Sequence, residues 1–275
     1  TTCASILPGR PFEAGREFLR VPIEFLYEGI GPSGEYLALK HPLARYVRGI
    51  YSAHSPLSAN FLNRLWRHKE LFRALLVASD TTPPLPGADV EIAEIYAKLQ
   101  HLLADIGVPT QIKVLPSEEA TYERLVSELK SGYHLVHYAG HGYYDPQLPE
   151  ESALLVWEKP RRSGVVKRLT VSEMAILLQN SPMRFVYLSC CEGAATADEG
   201  RLVEDDLLGL ADGIIQAGVP AVLSFRWPVS DRGAQRFALS LYESFFRHGA
   251  LGRAVLDARR DVASESRSDR TWLSP

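Results

Sequence analysis

Five short apolar runs punctuate the chain: Leu75 to Ser79, Gln111 to Leu115, His134 to Ala139, Phe185 to Cys190 and Ala221 to Phe225. Each has the length of a buried strand, and the segments between them carry the three- and four-residue period of amphipathic helices. Between the first two runs, Ile92, Ile95, Tyr96, Leu99, Leu102 and Leu103 mark one apolar face that ends before Gly107. Between the second and third, Tyr122, Leu125, Val126 and Leu129 do the same, and Gly132 closes the helix. Ala153 to Trp157 reads as an additional strand. Thr170 and Glu173 form a capping box that opens a helix through Met174, Leu177 and Leu178, which Asn180-Ser181-Pro182 stops. A further helix turns Leu207, Leu208, Ala211, Ile214 and Ile215 inward. Asp231 to Val262 gives two more, through Phe237, Leu241 and Phe245 and then Leu251, Val255 and Ala258. Strands alternating with helices predict an α/β protein with a mainly parallel central sheet covered by helices.

The first seventy residues differ. Val21 to Tyr27 and Tyr36 to Leu39 read as strands joined by a Gly-rich turn, and Pro8, Pro11, Pro22 and Pro32 interrupt the segment. We therefore expect a β-rich extension over 1–70 and the main domain over 71–275. Gly29-Ile30-Gly31-Pro32-Ser33-Gly34 spells a dinucleotide-binding fingerprint. That fingerprint must open a helix, whereas Glu35 to Leu39 continues as strand, so a hairpin turn is expected. The segment after Cys191, rich in Gly, Ala, Thr and acids as far as Gly200, lacks the apolar residues to pack and reads as a mobile loop. No internal repeat, nucleophile-elbow motif or Walker-type Gly-Lys pair occurs.

Composition narrows the classes. The chain has 275 residues, 46% of them hydrophobic and 23% charged, a net charge of −3 and a pI near 6.2. This is the profile of a globular protein with one or two domains. The longest basic cluster, Lys159-Pro160-Arg161-Arg162, is too small to mark a nucleic-acid partner. No apolar run approaches membrane-span length, so no membrane partner is expected. Three cysteines, Cys3, Cys190 and Cys191, build no disulfide framework, which favours a reducing, cytoplasmic setting. A chain that starts at Thr1 with no leader pattern reads as a piece of something longer.

Candidate chemistry gathers at two strand ends: His134-Leu135-Val136-His137-Tyr138-Ala139-Gly140-His141-Gly142, and Leu188-Ser189-Cys190-Cys191-Glu192-Gly193. The carboxyl ends of parallel strands border the ligand crevice, so a His past one strand and a Cys past another can meet there. An imidazole can take a thiol's proton and later return it to a leaving amine. His141 and Cys191 supply that pair. Glycine lets backbone N–H groups approach a developing oxyanion, which makes the N–H groups of Gly142 and Cys191 the candidate donors. Strand alternation puts His137 on the side of His141 and His134 opposite, so a metal site from all three is geometrically poor. No metal or other cofactor is expected, although a zinc site built with the adjacent thiols is the alternative. No third, orienting acid is apparent.

These blocks resemble the CHAT domain, a branch of the caspase-like and separase-like cysteine peptidases. The resemblance rests on Leu75-Leu76-Val77-Ala78-Ser79, His141-Gly142, Leu188-Ser189-Cys190-Cys191-Glu192, Gly209-Leu210-Ala211 through Ala217-Gly218, Ser224 to Asp231, and Ala258-Arg259. The 50-residue step from His141 to Cys191 also equals the His-to-Cys spacing of caspases. The resemblance implies a three-layer α/β/α caspase-like fold in which Cys191 attacks a peptide carbonyl, forms a thioester and is regenerated by water, with His141 as base and then acid. It also selects Cys191 over Cys190, which becomes a small buried filler. By the same resemblance the side chain before the scissile bond is held by Asp80, Ser189 and the segment Arg226, Trp227 and Pro228. Asp80 in that pocket would favour Lys or Arg and Arg226 would favour Asp or Glu; alternatively Asp80 caps a turn and Arg226 faces solvent. The balance leans to a neutral or basic residue, with Trp227 as an apolar wall. The acidic stretch from Glu192 to Asp206 occupies the place of an activation loop. The implied partners are a protein or peptide substrate and fused or associated repeat or sensor modules, in bacterial defence or cell-death signalling. The rival reading is a silent pseudopeptidase that binds a protein segment without cutting it.

Overall fold

The computed structural model describes residues 2–5, 12–13, 23–29, 34–47, 55–145, 147–160, 164–192, 206–226, 229–268 and 270–275; the side chains of 2–5, 12–13, 45–47, 149, 191–192 and 206–209 stand outside that description. The chain divides into two compact units, one of Thr1–Ile50 with Val229–Pro275 and one of Tyr51–Pro228.

In the smaller unit β1 (Thr2–Ser5) pairs antiparallel with both β2 (Phe12–Glu13) and β5 (Ala44–Val47). Between them β3 (Tyr27–Glu28) and β4 (Glu35–Tyr36) pair as a hairpin, in register Tyr27 with Tyr36. Residues 30–33 of the Gly-rich turn lie outside the described residues. The two strands are shorter than the sequence predicts. Ile23–Phe25 forms a 3₁₀ turn, and Leu37–Lys40 forms a helical turn, α1, in place of a continuing strand. The apolar run there misleads because Ala38 and Leu39 are both buried, a helical rather than an alternating pattern.

The larger unit opens with α2 (Ala59–His68), capped by the Ser58 hydroxyl, which accepts from Phe61 N–H at 3.3 Å. It continues through β6 (Phe72–Ser79), α3 (Gly87–Asp105), β7 (Thr110–Leu115), α4 (Tyr122–Leu129) and β8 (Leu135–Tyr143). Then come β9 (Ala153–Trp157), β10 (Val166–Thr170), α5 (Val171–Leu178), β11 (Phe185–Glu192), α6 (Asp206–Gln216) and β12 (Val222–Ser224). Five strands are parallel, in the order β7-β6-β8-β11-β12. The antiparallel hairpin β9–β10 attaches where β8 outruns β6, at Gly142 and Tyr143. This is the mainly parallel α/β sheet the sequence predicts. The central strands are legible because both faces are buried: in β6 every residue but Arg73 is inside.

Helices cover both faces. On one, α3 buries Ile92, Ile95, Leu99, Leu102 and Leu103. On the other, α4, α5 and α6 bring Leu125, Leu129, Met174, Leu178 and Ile214 against Val77, Val136, Tyr138, Val186 and Leu188, around an apolar void of about 20 Å³. The capping box at Thr170 forms as the sequence predicts, and Glu173 also accepts from the Tyr122 hydroxyl at 2.5 Å. Close approach of α5 and α6 depends on Gly213, where a Cβ would lie 2.0 Å from Val171 Cγ1. Gly213→Ala should therefore cost about 1–3 kcal/mol from overpacking, more than the roughly 1 kcal/mol that alanine gains in helix propensity. A lower urea midpoint with an unchanged slope would show it; a raised midpoint would contradict the close contact.

The smaller unit ends in α7 (Asp231–His248) and α8 (Leu251–Glu265). Phe237, Leu241 and Phe245 are buried as expected. In α8 the buried face is rotated from the predicted one: Ala254, Ala258 and Val262 are inside, whereas Leu251 and Val255 are half-exposed. Among the described residues, no helix is long and apolar enough to cross a membrane.

Candidate functional site

Side by side at the centre of the sheet, β8 and β11 run parallel in a register that pairs Cys191 with His141 and Ser189 with Ala139. Both strands extend further than the apolar runs predict, so positions 141 and 191 lie within strand ends rather than past them. The extension has a physical cause. Past Ser79, where β6 stops, β9 takes over as the neighbour of β8, and Gly142 is flanked by Glu192 on one edge and Leu154 on the other.

The His141 ring is buried on the α3 side of the sheet, with Nε2 2.6 Å from the carbonyl oxygen of Pro83. A carbonyl only accepts, so Nε2 carries the proton and Nδ1 of the neutral ring keeps its lone pair. The loop that presents this carbonyl is held by Asp80. Its carboxylate accepts from Leu85 N–H, its own N–H donates to Ser117 Oγ at 3.0 Å, and its carbonyl accepts from Trp157 Nε1 at 3.1 Å. Behind the strand, the Tyr138 hydroxyl lies 2.9 Å from His141 O and 2.7 Å from Leu155 O. Complete burial, with the Cys190 thiol close by, pushes its pKa far above the ordinary range, so it remains a donor.

Over the next two rows into the sheet, on the same face, is a buried polar cluster. Glu91 of α3 binds His137 Nε2 through Oε1 at 3.0 Å and accepts from Ser189 Oγ through Oε2 at 3.0 Å. The His137 ring stacks on Tyr187, with centroids 4.3 Å apart.

The structure distributes the sequence candidates as follows. The pleat assigns position 191 to the face of Tyr187 and Ser189, and so to the face of His141. Cys190 is on the opposite face, fully buried, and a Cβ on Gly142 would meet its Sγ at 3.4 Å. Ser189 is buried with its hydroxyl on Glu91. Asp80 caps its own loop, as one of the sequence alternatives has it. Arg226 is 7% exposed, which corrects the alternative in which it faces solvent. Trp227, Pro228 and the segment 193–205, including the expected mobile loop, lie outside the described residues. His134 is tied elsewhere, its Nδ1 accepting from Arg73 N–H at 3.1 Å. Among the described residues no three His, Cys, Asp or Glu side chains gather as a metal site.

Two contributors escaped sequence reasoning. The Pro83 contact is made by a backbone oxygen and leaves no side-chain signal. Glu91 sits on an otherwise apolar helix face, between Ala88 and Ile92, and that misplaced carboxylate is the signal that could have drawn attention to it.

A family model described as CHAT domain matches residues 13–273. No curated protein matches the sequence. Among solved structures, that of the Arg specific cysteine proteinase gingipain R (RGPB) is similar at 17% identity and a TM-score of 0.49, over 81% of this chain and 47% of that one. A complex of Porphyromonas gingivalis RgpB pro- and mature domains is similar at 16% identity and a TM-score of 0.47, over 81% and 48% of the two chains. The chain thus spans about half the length of these structures.

Proposed function

The chain belongs to the CHAT domain family, and from that premise we propose that it is a cysteine endopeptidase working through a dyad of His141 and Cys191. The observation that carries the proposal is the register of β8 and β11, which sets position 191 beside His141, whose Nε2–H is held by the Pro83 carbonyl and whose Nδ1 is left as base. In this reading the Pro83 oxygen does the work of an orienting acid: it fixes the tautomer and supports the imidazolium as it forms.

The reaction follows from those roles. Nδ1 of His141 takes the proton of the Cys191 thiol, and the thiolate attacks the peptide carbonyl. The N–H groups of Gly142 and Cys191 receive the oxyanion. The imidazolium returns its proton to the leaving amine, a thioester remains, and water deprotonated by His141 releases the acid and restores the thiol. Ser189, Asp80 and the segment of Arg226, Trp227 and Pro228 shape the substrate pocket. Asp80 does so through the loop it caps, and Arg226 brings a buried positive charge. The substrate is a protein segment, cut under the control of fused or associated modules, in a cytoplasmic setting and in a defence or cell-death role by family analogy.

A peptide-based thiol-reactive probe tests the reading. It should label Cys191 at neutral pH, identified by mass spectrometry of the modified peptide, and labelling should survive chelators. Binding of a peptide without labelling or cleavage would replace the peptidase by a silent scaffold.

A further inference from the structure

We infer that Glu91 is a positioning residue for the dyad, an inference that rests on the peptidase reading above. The parts of the dyad come from three chain segments: Pro83 from the loop that leads into α3, His141 from β8 and Cys191 from β11. Glu91 ties the helix that follows the Pro83 loop to the other two segments. It belongs to α3, eight residues after Pro83, and its two carboxylate oxygens bind His137 on β8 and Ser189 on β11, each at 3.0 Å.

The sheet is built to admit it. Ala78, Ala139 and Ser189 are cross-strand neighbours on the α3 face, and their small side chains leave room for a carboxylate between helix and sheet. His137, with no exposed surface, is held flat against Tyr187 and offers Nε2 to that carboxylate. Stability alone favours an apolar residue at such a place, because desolvating a carboxylate offsets most of what its partners return. A carboxylate with both oxygens engaged instead fixes direction. It allows one distance between α3 and each strand, two residues (roughly 6.6 Å of rise) below position 191 on β11 and four residues (roughly 13 Å) below His141 on β8. The Pro83 carbonyl, the imidazole and position 191 then hold one alignment.

The test is the pH profile of Cys191 alkylation by iodoacetamide, counted as the modification lost in Cys191→Ala. In the wild type the thiol should titrate below its ordinary value near 8.5, because the imidazolium stabilises the thiolate. Glu91→Ala should move the apparent thiol pKa up by about one unit and slow alkylation at pH 6.5 about tenfold. Glu91→Gln should restore both to near wild type. Its amide oxygen accepts from Ser189 and its NH₂ donates to His137, whose tautomer changes, a change visible in the imidazole ¹⁵N shifts. Loss of folded protein lowers the amplitude of such a profile and does not move its midpoint. Should Glu91→Ala fail to fold, Ser189→Ala removes one arm only and should shift the midpoint the same way, slowing alkylation about threefold. A wild-type midpoint in Ser189→Ala together with either a wild-type midpoint in Glu91→Ala or no rescue by Glu91→Gln overturns the inference and leaves the dyad standing. A wild-type profile unmoved by His141→Ala overturns the dyad, and this inference with it.

Discussion

Replacing His141 by alanine is expected to lower kcat/KM for a peptide substrate by about 10²- to 10⁴-fold, the range that a positioned general acid and base contributes. Most of the loss should fall on kcat. The ring meets the Pro83 carbonyl and belongs to the residue paired with position 191, so on the proposed mechanism its removal takes away the proton acceptor for the thiol and the proton donor for the leaving amine while leaving the pocket segments in place. The stability cost should be small by comparison, since the hydrogen bond lost is one between a ring N–H and a backbone carbonyl, worth about 1 kcal/mol. The pH dependence supplies an independent check. The wild-type rate should fall on the acid side as the reactive thiolate–imidazolium pair gains a proton, whereas His141→Ala should show a residual rate that climbs towards the pKa of an ordinary thiol. Stopped assays with a peptide pool, read against Cys191→Ala as the zero, measure both. A variant that keeps more than about a tenth of the wild-type kcat/KM is incompatible with a base at this position.

The centre of the sheet was legible because its strands β6, β8 and β11 are buried on both faces and appear as nearly unbroken apolar runs, and the helices because their stripes keep a helical period. Leu75 to Ser79, Phe185 to Cys190 and the face Ile92, Ile95 and Leu99 are of this kind. What failed was local structure in which burial does not set a period. Of the run Val21 to Tyr27, the described residues form a 3₁₀ turn at Ile23–Phe25 and the first residue of a two-residue strand at Tyr27, and Leu37 to Lys40 winds into a turn that places Ala38 and Leu39 inside together. The helix Ala59–His68 stands where the sequence reading assigns a β-rich extension, although Ser58 and the spacing of Phe61, Leu62 and Leu65 mark it. At the site, chain order brings a His and a Cys to neighbouring strand ends, and that much could be read from apolar runs. The Pro83 carbonyl could not, because every residue has one. Nor could the Glu91 cluster, because its partners stand 46 and 98 residues away and sequence spacing carries no sign of contacts that distant.

Gly140→Val should be the most destabilising single change near the site, costing about 3–5 kcal/mol when overpacking and the hydrogen bonds it breaks are combined. A Cβ at position 140 would lie 2.6 Å from the Tyr138 hydroxyl and 2.9 Å from Ser79 Cβ. Neither neighbour can step aside. The Tyr138 ring is fully buried, and its hydroxyl is fixed between His141 O and Leu155 O; Ser79 ends β6 with its own hydroxyl on Leu155 O at 2.8 Å. Relief requires the tyrosine to leave both carbonyls, which strands a buried hydroxyl and loosens the junction where β9 replaces β6 beside β8. That junction carries His141, so the loss of stability should be accompanied by a loss of Cys191 alkylation in the protein that remains folded. Gly142→Ala is the internal comparison, since its Cβ meets Cys190 Sγ only at 3.4 Å and the same sheet should yield about 1 kcal/mol or less. Urea unfolding of the two variants beside the wild type measures the difference. Equal midpoints for Gly140→Val and Gly142→Ala would mean that Tyr138 is free to move and that the strand end bearing the imidazole is not braced from behind.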